Sequence, residues 1–194
     1  MQSDLLTLKK GLVIIMNLPN KITLFRVFMI PIFLIFMLNP GIPYAKYIAA
    51  AVFIIAAISD FLDGYIARKR KLVTNFGKFM DPLADKLLVC SALICFVELN
   101  LLPAWIVIII IAREFIISGF RLIASDNGIV IAASWWGKVK TNVQMIMSVM
   151  LIFHFNHPVI NILEQIVIYL AVILTVVSLM DYMIKNKKVL SEKQ

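Results

Sequence analysis

Between residues 60 and 85 the chain reads DFLDGYIARKRKLVTNFGKFMDPLAD. Four carboxylates (Asp60, Asp63, Asp81, Asp85), two glycines and Arg68 stand here in a stretch whose surroundings are strongly apolar. Acidic side chains in or beside apolar helices are costly to desolvate, so they mark function. Four together call for positive charge, and a pair of divalent cations supplies it. Oxygen ligands without Cys or His select hard ions, Mg²⁺ or Mn²⁺, rather than zinc. Two such ions about 4 Å apart grip a phosphate or pyrophosphate. A carboxylate not fully used as a ligand accepts the proton of an attacking hydroxyl. Phosphoryl-group chemistry is the natural use of such a set.

These residues require two helices to position them. At about 100° per residue, Asp60, Asp63, Gly64 and Ala67 fall on one narrow helical face, with Arg68 at its border. Gly77, Asp81 and Asp85 form a second stripe at i, i+4 and i+8. A basic link over 69–76 joins the two helices, and Thr74 or Asn75 can cap the second. Small residues at Gly64, Ala67 and Gly77 let backbones, or a bulky ligand, approach closely. A salt-bridge network with Arg68, Lys69 or Lys78 is the structural alternative. It accounts for two carboxylates but poorly for four at this spacing with glycines at the approach points.

Composition sets the surroundings. Of 194 residues, 62% are hydrophobic and only 15% charged, more apolar surface than a soluble domain of this length buries. A helix crosses the hydrocarbon with about 20 apolar residues. On that rule six spans are expected, at 23–38, 44–67, 79–99, 103–124, 138–155 and 159–184, forming one all-α polytopic domain over 16–194. Residues 1–15 form an N-terminal extension or interfacial segment without a cleavage site of the secretory type. Lys and Arg alternate between connections. Lys9, Lys10 and Lys21, then Arg68–Lys71 and Lys78, then Arg121, Lys138 and Lys140, then Lys185, Lys187 and Lys188 share one side. The intervening loops are nearly free of them, which puts both termini in the cytoplasm. The net charge of +8 is then mostly one basic face, suited to anionic headgroups or phosphorylated substrates. It fits nucleic acid poorly, because the basic residues flank spans. Cys90 and Cys95 lie within one span as small buried apolar residues. His154 and His157 lie by an outer loop as interfacial polar residues.

With Asp60, Asp63, Gly64, Ala67, Arg68, Gly77, Asp81 and Asp85 all in place, the chain resembles the CDP-alcohol phosphotransferase family. The resemblance implies six transmembrane helices, a homodimer and an active site at the cytoplasmic side. It implies that an alcohol displaces CMP from a CDP-linked lipid with the help of divalent metal. By it, Asp60, Asp63 and Asp81 are metal ligands, and Asp85 is the general base as well as a metal ligand. Gly64, Arg68, Thr74 and Gly77 then line the cytidine diphosphate site.

The signature leaves the alcohol open, and other residues narrow it. In the fourth span, AREFIISGFR places Arg113, Glu114 and Arg121 on a shared arc with Ser118 at its edge. In the fifth, Gly137, Lys140, Thr141 and Gln144 share a face, with Lys138 beside it. Cations converging there suit an acceptor that carries its own phosphate, whereas choline or serine needs none. Positive-inside anchoring is the alternative for Arg121, Lys138 and Lys140. For Arg113 the alternative is a buried pair with Glu114 or Glu98. These segments, with NLPNKITLFR near the start and GKVKTNVQ in the fifth span, resemble the bacterial family members that use sn-glycerol 3-phosphate. By that likeness Asn20, Thr23 and Arg26 help bind the nucleotide or support its surroundings; helix capping and interfacial anchoring are the alternative. The expected enzyme uses CDP-diacylglycerol, sn-glycerol 3-phosphate and two Mg²⁺ or Mn²⁺ ions in a bacterial cell membrane. A family member with another acceptor, such as a cardiolipin synthase or a phosphatidylinositol-phosphate synthase, is separable by acceptor competition. An ion-coupled transporter would show internal repeats or broken helices, and none is evident. An aspartic intramembrane protease would resist EDTA.

Overall fold

The computed structural model describes residues 18–69, 75–126, 131, 134–155 and 157–187, with side chains except at 18–19, 60–69, 75–79, 81–82 and 126. Among the described residues six helices follow one another: α1 Leu18–Leu38, α2 Ala45–Lys69, α3 Asn75–Glu98, α4 Ala104–Asp126, α5 Trp135–Phe153 and α6 Pro158–Lys185. No strand occurs among the described residues. Each helix coincides with one of the apolar runs and extends past it at the end that bears Lys or Arg. The apolar run stops at the first charges, but the backbone ladder does not need apolar side chains. Long basic side chains lie along the helix and carry their charge outward. Residues 1–15, including any interfacial helix, and Thr74 lie outside the described residues.

The chain divides into two units, 1–95 and 96–194. In the first, α1 packs on α2. Ala45, Ala49 and Ala56 are buried, and such small residues let the two backbones approach without a driving force from water. Phe33 and Phe53 fill the seam, with ring centroids 5.7 Å apart and planes at 48°. α1 ends where the Asn39 side-chain amide donates to the Ile35 carbonyl at 2.7 Å, taking up one of the orphan acceptors of the last turn. On α3, Ala84, Leu88 and Ala92 are buried at a spacing of four, forming an apolar stripe beside Asp85.

In the second unit, α4 and α5 each pack on α6. Phe120 meets Tyr182 edge to face at 6.0 Å, and Ile117 completes that core. α5 begins at Ser134, whose hydroxyl accepts from the Gly137 N–H at 3.1 Å. That cap is worth about 1 kcal/mol. α5 ends at His154 in left-handed geometry, its N–H donating back to Met150. The His154 ring meets the buried Glu164 carboxylate at 3.0 Å, tying the end of α5 to α6. Pro158 then opens α6, where its missing N–H costs nothing.

Several polar residues lie inside while many large apolar ones face outward. Arg26, Lys140, Ser148, Thr175 and Ser178 are buried, while Phe28, Ile108, Leu122, Ile166 and Ile184 are exposed. Water would not tolerate this distribution over so much surface, but hydrocarbon does. Among the described residues two helices, Asn20–Leu38 and Pro158–Lys185, are long and apolar enough to cross a membrane. The other four carry most of the charged residues singled out from the sequence, while Arg26 lies on α1. The chain has the build of a membrane protein.

Candidate functional site

The acidic signature is distributed over two consecutive helices. α2 carries Asp60, Asp63, Gly64 and Arg68, and α3 carries Gly77, Asp81 and Asp85. The side chains of Asp60, Asp63, Arg68 and Asp81 lie outside those described. Helical placement still fixes their register: Asp60 stands one turn after Ala56, on the same face of α2. The Ala56 carbonyl accepts from Arg26 Nε at 3.3 Å. Arg26, Thr23 and Asn20 are all fully buried, so this polar face of α1 belongs to the interior and Arg26 braces the turn that leads into Asp60. Asp85 is half-buried and engaged with a partner. Among the described residues no three His, Cys, Asp or Glu gather into a metal site. As a donor set, four aspartates fit a hard divalent ion.

The basic candidates are resolved in more detail. Arg113, on α4, is buried between three helices. Its Nη1 donates to Glu114 Oε1 at 2.9 Å, and its Nε donates to Ser178 Oγ on α6 at 3.2 Å. Its Nη2 faces Gly137 on α5, where an added Cβ would stand 3.3 Å from that nitrogen. Lys140, on α5, has a side chain only 1% exposed and donates to the same Oε1 of Glu114. Arg113 and Lys140 are thus brought together on a single carboxylate oxygen. Arg121 stands eight residues, about 12 Å, further along α4 and is exposed. Its guanidinium lies over the Tyr182 ring at 5.9 Å. Lys138 is exposed on a different face of α5 from Lys140.

Three participants were not singled out from the sequence. Ser178 holds Arg113, Tyr182 underlies Arg121, and Thr175, also buried, accepts Ser178's hydroxyl through its carbonyl at 3.0 Å. Their spacing of three and four within a highly apolar helix was a usable signal, since small polar residues on one face of such a helix mark an interior seam.

The chain, with its aspartate signature on two consecutive helices, has counterparts among known proteins. The chain belongs to the CDP-alcohol phosphatidyltransferase family, whose model matches residues 16–177. Dependence on divalent metal is general in that family. The chain is 48% identical to the CDP-diacylglycerol–glycerol-3-phosphate 3-phosphatidyltransferase of Bacillus subtilis (strain 168), over 88% of this chain and 95% of that one. It is 42% identical to the protein of the same name from Haemophilus influenzae, over 86% and 91%. To a probable phosphatidylglycerophosphate synthase of Mycobacterium tuberculosis it is 39% identical, over 87% and 80%.

Proposed function

We propose that this chain transfers the phosphatidyl group of CDP-diacylglycerol to sn-glycerol 3-phosphate, giving phosphatidylglycerophosphate and CMP. The reaction follows from family membership and from relatives at 42–48% identity that carry the name of this activity. The observation that carries the choice of acceptor is the burial of Arg113 and Lys140. Two cations in an apolar interior are expensive, and a phosphorylated acceptor gives them a use.

In this reading Asp60, Asp63, Asp81 and Asp85 would hold the two divalent ions. The ions, Mg²⁺ or Mn²⁺, neutralise the pyrophosphate when bound. Arg68 shares the phosphate charge, and Asn20, Gly64, Thr74 and Gly77 line the cytidine diphosphate site. Arg113 and Lys140 take the acceptor's phosphate, and Arg121 and Lys138 add positive charge on the approach to it. Asp85 accepts the proton of the acceptor's 1-hydroxyl. The oxygen of that hydroxyl bonds to the lipid-side phosphorus while the bond from that phosphorus to the CMP oxygen breaks, and CMP leaves. The acyl chains stay in the bilayer. All six helices span a bacterial cell membrane, with both termini and the site cytoplasmic, as the one-sided Lys and Arg suggest. The working unit is a homodimer, and residues 16–194 form the catalytic domain behind the segment 1–15.

The test is CMP release by purified protein from CDP-diacylglycerol and Mg²⁺, with glycerol 3-phosphate, inositol phosphate or phosphatidylglycerol as acceptor. Release with glycerol 3-phosphate alone, with phosphatidylglycerophosphate identified by mass, is the expected result. Release with another acceptor instead would overturn the substrate, and none with any acceptor in folded protein would overturn the reaction.

A further inference from the structure

Glu114 has no role in the mechanism above, yet it is the point on which the buried cations converge. The side chains of Arg113 and Lys140 are only 8% and 1% exposed, and they come from different helices. Two like charges that close, out of water, repel strongly and lose most of their hydration. Without a counter-charge the pair would separate or the helices would shift. Glu114 Oε1 accepts from both. The Glu114 side chain itself is 22% exposed, so the carboxylate bridges the buried cations from the more open side.

The remaining contacts of Arg113 fix the direction of its fork. Nε is held by Ser178 on α6 and Nη1 by Glu114, so the guanidinium plane is set by two hydrogen bonds from two helices. Nη2 is left against Gly137, where the missing Cβ gives it room. The sum over Arg113, Lys140 and Glu114 is one positive charge. The cluster is therefore neutralised enough to be buried and still attractive to an anion.

Resting on the acceptor reading above, we infer that Glu114 is a positioning residue for the acceptor's phosphate. It holds the Arg113 guanidinium and the Lys140 ammonium as a preformed pair and thereby sets the preference for phosphorylated over unphosphorylated alcohols. A purely structural ion pair would support folding and turnover without regard to which alcohol attacks. Glu114 instead acts on one substrate only.

The experiment is steady-state kinetics of Glu114→Gln with glycerol 3-phosphate and CDP-diacylglycerol varied in turn, and with glycerol as a competing unphosphorylated acceptor. The amide keeps the size and one acceptor but removes the charge. The expected result is a KM for glycerol 3-phosphate raised about tenfold or more, equivalent to about 1.4 kcal/mol. KM for CDP-diacylglycerol stays within about twofold, and discrimination against glycerol falls. An unchanged KM for glycerol 3-phosphate in the active variant, or both KM values rising together, overturns the inference and leaves the functional reading intact. If Glu114→Gln does not fold, Ser178→Ala removes one of the two hydrogen bonds that orient Arg113. It is expected to raise the same KM about threefold and leave that for CDP-diacylglycerol alone; no change there overturns the inference. Wild-type protein with no glycerol 3-phosphate-dependent release would sink the functional reading itself, and the inference with it.

Discussion

The acidic segment and the basic cluster are assembled in opposite ways. The four aspartates lie within 26 consecutive residues, on two helices joined by a short link. Arg113, Glu114, Lys140 and Ser178 span 66 positions and three helices, and each is held by a side chain far away in sequence. The first kind of site is written as a spacing, because neighbouring helices inherit their register from the chain. The second depends on packing, and its supporting residues are ordinary ones, a serine and a glutamate. Charge balance differs too. In the reading above the aspartate set takes an external cation, whereas the basic set carries its own carboxylate. On that reading the two sets should fail differently when altered.

Losing the carboxylate at Asp85 should have the largest effect. Asp85→Asn is expected to reduce CMP release about 10²- to 10⁴-fold, the usual worth of a general base, with KM for glycerol 3-phosphate little changed. EDTA should have a comparable effect, reversed by Mg²⁺ or Mn²⁺; activity that persists in EDTA would remove the metal role of the aspartates. Next in size, Arg113→Ala deletes charge-assisted hydrogen bonds worth about 1.5–3 kcal/mol each. It should lower kcat/KM for glycerol 3-phosphate by roughly 10- to 100-fold through KM, measured at saturating CDP-diacylglycerol. A loss carried by kcat alone would mean that Arg113 serves the fold or the chemistry rather than the acceptor.

Smaller effects sharpen the contrast. Gly137→Ala places a methyl 3.3 Å from Arg113 Nη2, and that nitrogen cannot easily give way because Nε and Nη1 are already held. A few-fold rise in KM for glycerol 3-phosphate is expected without loss of thermal stability, since alanine favours the helix by up to about 1 kcal/mol. The smallest effect belongs to Ser134→Ala, which removes the cap of α5. It should cost about 1 kcal/mol of stability, read as a modest fall in melting temperature in detergent, with KM values nearly intact.

The same contrast explains what could be read from the sequence. All six helices were visible as apolar runs in the sequence. Their charged ends were not, since α1 begins at Leu18 and α5 at Trp135, ahead of the runs expected from 23 and 138. Ser134, standing just before α5, was an available cap signal. The aspartate signature was legible in full as spacing. Of the basic set, Arg113 stood out because arginine is rare inside an apolar run, and Lys140 because of its helical face. The Arg113–Glu114 pair, the alternative weighed for Arg113, is present, but that Lys140 would close on the same carboxylate was not legible, because it reaches Glu114 only through the packing of α5. Arg121 was grouped with them by its arc on the fourth span, and Lys138 by its place beside the Lys140 face. Helical rise and face separate them, leaving Arg121 on Tyr182 and Lys138 exposed.

The most direct test of this division of labour is a two-substrate kinetic analysis of Asp85→Asn and Arg113→Ala beside the wild type, with CMP release as the readout. Asp85→Asn should lose kcat while keeping its KM for glycerol 3-phosphate. Arg113→Ala should lose affinity for glycerol 3-phosphate while keeping its KM for CDP-diacylglycerol. If the two folded variants instead show the same pattern, the acidic and basic regions do not have the separate tasks assigned to them, and the acceptor reading falls.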